Sequence, residues 1–281
     1  EQSLTQALTL TPAGEAAAFT AALDGGFSNA PISFPPRRGA PFGGLMAALA
    51  VTAARQGLGV EGPLKALSAQ FLAGARFDEL TLEAELLRGG RTTAYARIVA
   101  RQGERMALAA QATFGRTEDG PALQPLHRAP PPLVDEEQLM PPIFAPWFTR
   151  HVEHRFIDGP GLFGQARTPQ VRCWMRTVDH QPLDEARLCF LLDAVFPVYF
   201  VSLPPPPQIS ATADLRYDIL SSLDGKAEDG WAYFEFDSRA VGDGWAVEDG
   251  ACWAVDGTPL ALARQLRKVV GGPATAYMGR K

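Results

Sequence analysis

The sequence predicts an α+β fold of two tandem modules, in which a helix is followed by an antiparallel meander and the pattern then recurs. Three observations lead there. Residues 41–58, PFGGLMAALAVTAARQGL, carry Pro at the entrance, Gly57 and Gly59 at the exit, and apolar side chains on every side between them, as a helix surrounded by protein does. Four strand patterns separated by tight turns follow that helix. After a Pro-rich stretch, a second apolar helix pattern and four more strand patterns appear in the same order.

Composition bounds the reading. The 281 residues are 46% hydrophobic and 20% charged, the balance of a globular chain able to bury one large core or two ordinary ones. A net charge of -5, with scattered Lys and Arg, offers no broad basic face for nucleic acid and no polybasic segment for anionic lipid. Neither partner is expected. No apolar run reaches the roughly 18 residues a bilayer span needs. The stretch EQSLTQALTL lacks the charged start and apolar core of a secretion signal, so a cytoplasmic location is expected. Cys173, Cys189 and Cys252 stand far apart among apolar neighbours, which suits reduced core thiols better than a disulfide frame or a zinc site.

In chain order, residues 15–23 read as a short amphipathic segment, and GGFSNAPISFPPRRGAP as irregular chain or edge strand. The first helix is rich in small residues (Gly43, Gly44, Ala47, Ala48, Ala50, Ala53, Ala54) that let other backbone approach closely, while Leu45, Met46, Leu49 and Val51 fill space. Strands are then predicted over 65–73, 80–88, 91–101 and 105–116. The second alternates most clearly, with Leu80, Leu82, Ala84 and Leu86 on one face and Thr81, Glu83 and Glu85 on the other. Gly89-Gly90 and Gln102-Gly103-Glu104 supply the turns. Residues 117–146, with PLHRAPPPLVDEEQLMPP at their centre, lose periodicity and read as a linker between modules spanning 1–116 and 147–281. Beyond it come strands over 151–157 and 171–178, a helix over 183–200, a Pro-rich loop, and strands over 210–219, 231–238, 246–254 and 259–269. The last strands of the two halves share residues as well as place: Met106-Ala107-Leu108-Ala109-Ala110-Gln111 aligns without a gap to Leu260-Ala261-Leu262-Ala263-Arg264-Gln265.

One residue of the second helix does not fit its surroundings. Asp184 and Glu185 fall in the first turn, where the helix dipole favours them, but Asp193 stands among Phe190, Leu191, Leu192, Val195 and Phe196. A buried carboxylate without partners costs several kcal/mol, so this one is hydrogen-bonded for structural reasons, neutralised, or functional. Thr212 and Gln265 lie on strands that the fold could bring to it. Other constellations carry less. His151 and His154 alternate to opposite faces of a strand and have no acidic cluster beside them, so no metal site is expected. Ser68 and Ser210 have no His at a recognisable spacing, and the Gly-rich segments do not sit in a βαβ unit.

At this point the chain resembles the bacterial acyl-CoA thioesterase II (TesB-like) family, built from two fused hotdog domains. The resemblance rests on Gly43-Gly44 at the helix entrance and on Phe71-Leu72 followed by Leu87-Arg88-Gly89-Gly90-Arg91. It continues through Leu192-Asp193 and Ala211-Thr212-Ala213-Asp214 to Asp256-Gly257 leading into Leu262-Ala263-Arg264-Gln265. It covers nearly the whole chain and implies a double hotdog, each module a central helix wrapped by a curved antiparallel sheet. It further implies an acyl-CoA substrate, a catalytic Asp193, Thr212 and Gln265 acting through water with no cofactor and no metal, and oxyanion donors at Gly43 and Gly44. Arg37, Arg38, Arg88 and Arg91 are candidates for the coenzyme A phosphates. A homo-oligomer, a dimer of double hotdogs, is expected from the fold.

The chain also departs from the family pattern. Phe42 stands where members often carry His before the Gly pair, and the first helix offers no carboxylate matching Asp193, which leaves one complete site. Two other readings remain open. One is an acyl-CoA-binding protein without turnover. The other is a hotdog hydratase or dehydratase, disfavoured because neither module shows a His in its helix or facing strands.

Overall fold

The structure, a computed structural model, describes residues 2–14, 16–135, 141 and 143–273. The first half runs α1 (Leu4–Ala7), β1 (Thr11–Pro12), β2 (Ala18–Ala22), α2 (Gly43–Leu58), β3 (Leu64–Phe71), β4 (Glu79–Gly89), β5 (Thr93–Gln102) and β6 (Arg105–Gly115). The second runs β7 (Val152–Phe156), β8 (Gln170–Thr177), α3 (Glu185–Leu191), β9 (Gln208–Ile219), β10 (Ala232–Gly242), β11 (Trp245–Trp253) and β12 (Pro259–Pro273). All of these strands belong to one sheet ordered β1-β2-β4-β5-β6-β3-β9-β12-β11-β10-β8-β7. Read inward from either edge, the two halves have the same strand order, and each helix falls between its second and third strand. The repeat is therefore topological: two hotdog modules joined edge to edge. The joint is the antiparallel pairing of β3 with β9, from Ala66 opposite Asp218 to Gln70 opposite Asp214.

The uniform apolar character of α2 has its reason in what surrounds it. The helix packs on α3 and on β2 through β6, and every residue from Gly44 to Val51 is buried. Phe42 takes the N-cap position, and Gly59 ends the helix at φ 56°, a left-handed conformation that favours glycine. The alternation predicted for β4 holds at its start, where Leu80 and Leu82 are buried.

Four expectations are corrected. Residues 18–22 form β2, so each module has two strands before its helix. The second helix is much shorter than 183–200: α3 ends at Leu191, and a separate 3-10 turn covers Val198–Val201. Pro197, which lacks an N–H and whose ring would clash with the carbonyl one helical turn back, keeps one helix from running on to 200, but α3 ends six residues before it. The aligned glutamines face opposite ways, Gln111 outward and Gln265 into the core, so the shared Ala-Leu-Ala-x-Gln run is not a structural equivalence. Finally, part of the stretch read as a linker packs on the second module. The indole N–H groups of Trp253 and Trp174 donate to the carbonyls of Leu126 and Pro131, and the Arg128 guanidinium covers Trp253.

Candidate active site

The end of α3 at Leu191 is what presents Asp193. Leu192 caps α3, and Asp193 lies in the turn beyond, directed at the first residues of α2. The Gly44 backbone N–H lies near its carboxylate and favours the charged form. A Cβ added at Gly43 would stand 2.9 Å from Asp193 Oδ2, so only glycine permits so close an approach. From the sheet side, Gln265 on β12 donates through Nε2 to Asp193 Oδ1 at 2.6 Å. Its Oε1 accepts the Thr212 hydroxyl at 3.1 Å. The carboxylate accepts and the hydroxyl donates, which fixes the orientation of the Gln265 amide.

A bulge brings Thr212 there. On β12 and β9, Leu266 pairs with Asp214 but Arg267 pairs with Thr212, skipping Ala213. That single extra residue turns Thr212 onto the face shared with Leu215 and Gln265. Asp193 is 6% exposed. Burial pushes its carboxyl above the usual range, the nearby Arg267 charge is the largest influence the other way, and the Gln265 hydrogen bond and the Gly44 N–H also lower it.

Two charged residues at this site escaped the sequence reading. Arg267 is buried on β12, its Nη2 3.7 Å from Asp193 Oδ1 and its Nε donating to Glu248 Oε2 at 2.7 Å. Glu248, buried on β11, accepts the Val198 backbone N–H on its other oxygen at 2.6 Å. Strand parity was the available signal: Glu248 alternates with Ala246, Gly250 and Cys252, and Arg267 with Ala263 and Gln265, all on the inward face.

The other candidates are placed as follows. Arg37 and Arg38 form a 3-10 turn, Pro36–Arg38, shortly before α2, and Arg37 donates to the Phe77 carbonyl. Arg88 and Arg91 belong to the β4–β5 hairpin. Arg91 borders a cleft with Leu58 and Gly59, at the opposite end of α2 from Asp193 and about 24 Å away by helix length. Phe42 is buried, stacked on Phe148 and edge-on to Phe190. His154 corrects the expectation that no His faces a helix: it is buried on β7 and its Nε2 donates to the Ala194 carbonyl at 2.8 Å, beside Asp193 in sequence. Burial holds it below its ordinary pKa. His151 is buried against Phe27. Among the described residues no group of three or more His, Cys, Asp or Glu converges as metal ligands would.

A larger cleft of about 780 Å³ lies at the other end of the helix pair, lined by Thr52, Arg55, Glu185 and Ser221 among others. There an ion pair joins the two modules: Arg55 donates to both oxygens of Glu185, and Glu185 accepts the Leu64 N–H.

A family model for the acyl-CoA thioesterase C-terminal domain matches residues 124–267, and one for the N-terminal domain matches residues 30–115. The chain belongs to the acyl-CoA thioesterase family. Solved structures agree on the fold of this thioesterase-family chain. A conserved hot-dog-fold protein of unknown function from Alicyclobacillus acidocaldarius superposes with TM-score 0.82 at 24% identity, covering 96% of this chain and 98% of that one. The acyl-CoA thioesterase II TesB2 from Mycobacterium marinum superposes with TM-score 0.70 at 18% identity over 99% of both chains. The tesB protein of Mycobacterium avium subspecies paratuberculosis gives 0.71 at 17% identity, covering 95% and 98%. A search of curated proteins gave no match. The thioesterase-family chain is a double hotdog of the TesB-like kind, and no helix among its described residues is long and apolar enough to cross a membrane.

Proposed function

We propose that this chain hydrolyses the thioester of a fatty or related acyl-CoA, using water activated by Asp193. The observation that supports the reading is the hydrogen-bonded line from Thr212 through Gln265 to Asp193, meeting the start of a buried helix, in a thioesterase-family chain. The water attacks the carbonyl carbon as Asp193 takes its proton. The tetrahedral intermediate collapses with cleavage of the C–S bond, and the proton passes to the departing coenzyme A sulfur. Thr212 and the Gln265 amide hold the water at the angle of attack, and a carboxyl raised by burial is a better base near neutral pH than an exposed one.

The Gly44 N–H lies on the Asp193 side of the helix start. The Gly43 N–H, which has no partner within the helix by its position, is the donor left for the developing oxyanion. Arg37 and Arg38, just ahead of α2, meet the coenzyme A phosphates. The chemistry uses no metal and no cofactor, and the protein works in the cytoplasm as a dimer of double hotdogs.

The test is coenzyme A release from a panel of acyl-CoA thioesters, short to long, by wild type and Asp193→Asn. Hydrolysis by wild type, with a loss of roughly 10² or more in the variant and retained binding, supports the reading. Binding of acyl-CoA without release by wild type overturns it in favour of a non-catalytic acyl-CoA-binding protein.

A further inference from the structure

Resting on that reading of Asp193 as the base, we infer that Arg267 and Glu248 form a positioning pair that keeps Asp193 charged while leaving it free to accept a proton. The geometry carries the argument. A carboxylate with 6% exposure has almost no water to stabilise its charge. The guanidinium 3.7 Å away supplies a compensating charge but does not fork onto the carboxylate, because its Nε is committed to Glu248. Glu248 in turn is fixed at both oxygens, by Arg267 and by the Val198 N–H. Val198 opens the 3-10 turn that follows Asp193, so the pair also anchors the segment carrying the base. An Arg–Asp fork would hold both Asp193 oxygens and weaken the base. An Arg held one step back lowers the Asp193 pKa by its charge alone and leaves the carboxylate oxygens unforked.

The other groups facing Asp193 do not supply this charge. α2 presents Gly43 and Gly44, and β12 adds the neutral Gln265 amide. Tyr217 on β9, Tyr199 on the 3-10 turn and Cys189 on α3 are all held above their ordinary pKa values by burial, and so stay neutral. His154 on β7 is held below its ordinary value, neutral near pH 7, and turned to the Ala194 carbonyl. Arg267 is therefore the only cation among the described groups around the base.

The pair predicts shifts of opposite sign. In Arg267→Met, two carboxylates share an apolar site and the Asp193 midpoint rises by about one pH unit or more. In Glu248→Gln, the guanidinium is released to clamp Asp193, the midpoint falls, and kcat falls with it while KM holds. The double variant Arg267→Met/Glu248→Gln removes both charges of the pair, which a buried site tolerates. It keeps the test usable should the single Arg267 variant fail to fold, and its midpoint lies above wild type.

The experiment titrates Asp193 directly, by the carboxyl infrared band that Asp193→Asn removes, alongside the acid limb of kcat/KM against pH with an acyl-CoA. Midpoints that rise without Arg267 and fall without Glu248 support the inference. Midpoints unmoved from wild type in all three variants overturn it. The infrared titration reads the pair even where wild type hydrolyses no acyl-CoA, in which case the thioesterase reading fails by itself.

Discussion

Gln265 donates to Asp193 at 2.6 Å and accepts from Thr212 at 3.1 Å, so one amide joins the carboxylate to the hydroxyl and sets the spacing of both. Gln265→Ala is expected to lower kcat by ~10² with little change in KM, and Thr212→Val by less, since only one donor is lost. Gln265→Glu is expected to be worse than Gln265→Ala, because it sets a second carboxylate against a buried first one. Steady-state kinetics on one acyl-CoA substrate separate the three.

The two glycines that open α2 predict different failures. A methyl at Gly43 meets Asp193 Oδ2 at 2.9 Å and the Phe71 ring at 3.4 Å, so Gly43→Ala should displace the base and cost activity of about 10-fold or more. A methyl at Gly44 meets the Phe42 ring at 2.4 Å and the Phe190 carbonyl at 2.7 Å. Both partners are packed, so Gly44→Ala should destabilise the fold by about 1–3 kcal/mol. Denaturant unfolding beside kinetics tells the two apart.

Burial of Asp193 makes the native state hold its proton more tightly than the unfolded chain does. Stability from this group is therefore full below the unfolded carboxylate range and declines as pH rises through the folded value. Asp193→Asn, which never ionises, should unfold at a higher temperature than wild type near neutral pH. The advantage should vanish as pH falls below about 4. Thermal unfolding across pH checks the sign.

Asp179 runs the opposite way. Burial alone would raise its carboxyl, but hydrogen bonds from Arg187, Thr177 and Thr5 and the Arg187 charge overcome this and hold it at about 2. Its stabilisation is present above the unfolded range and lost as pH falls toward 2. Asp179→Asn should cost about 1–2 kcal/mol at neutral pH, after allowance for partial exposure, and nothing near pH 2. Because Thr5 and Arg187 share this carboxylate, the variant should also loosen the N-terminal segment from α3, which hydrogen exchange at residues 3–8 would detect.

The fold was legible where burial leaves a one-dimensional trace. The first helix shows apolar residues all round because protein covers all sides of it, and β4 alternates because its two faces differ. Asp193 stood out for the same reason, as a carboxylate in an apolar run. What the sequence hid depends on register. Gln111 and Gln265 look equivalent in a gapless alignment yet face opposite ways, and Thr212 reaches the inner face only through a bulge at Ala213. Glu248 and Arg267 had the inward parity to be noticed, but their pairing depends on how β11 and β12 sit side by side. Pro197 was a readable sign that no single helix runs over 183–200, outweighed by the apolar run around it, whereas the end of α3 at Leu191 left no such mark.

The pairing of β3 with β9 makes the covalent link between halves a matter of bookkeeping as much as of strength. Two identical modules meeting along that seam would produce two equal helix-end clusters. Here the glycine opening comes from the first module and the acid, amide and hydroxyl from the second, so the proposed site draws on both halves. Tethering unlike partners in one chain ensures that each seam joins one of each kind. At the opposite helix ends the Arg55–Glu185 ion pair ties α2 of the first module to α3 of the second.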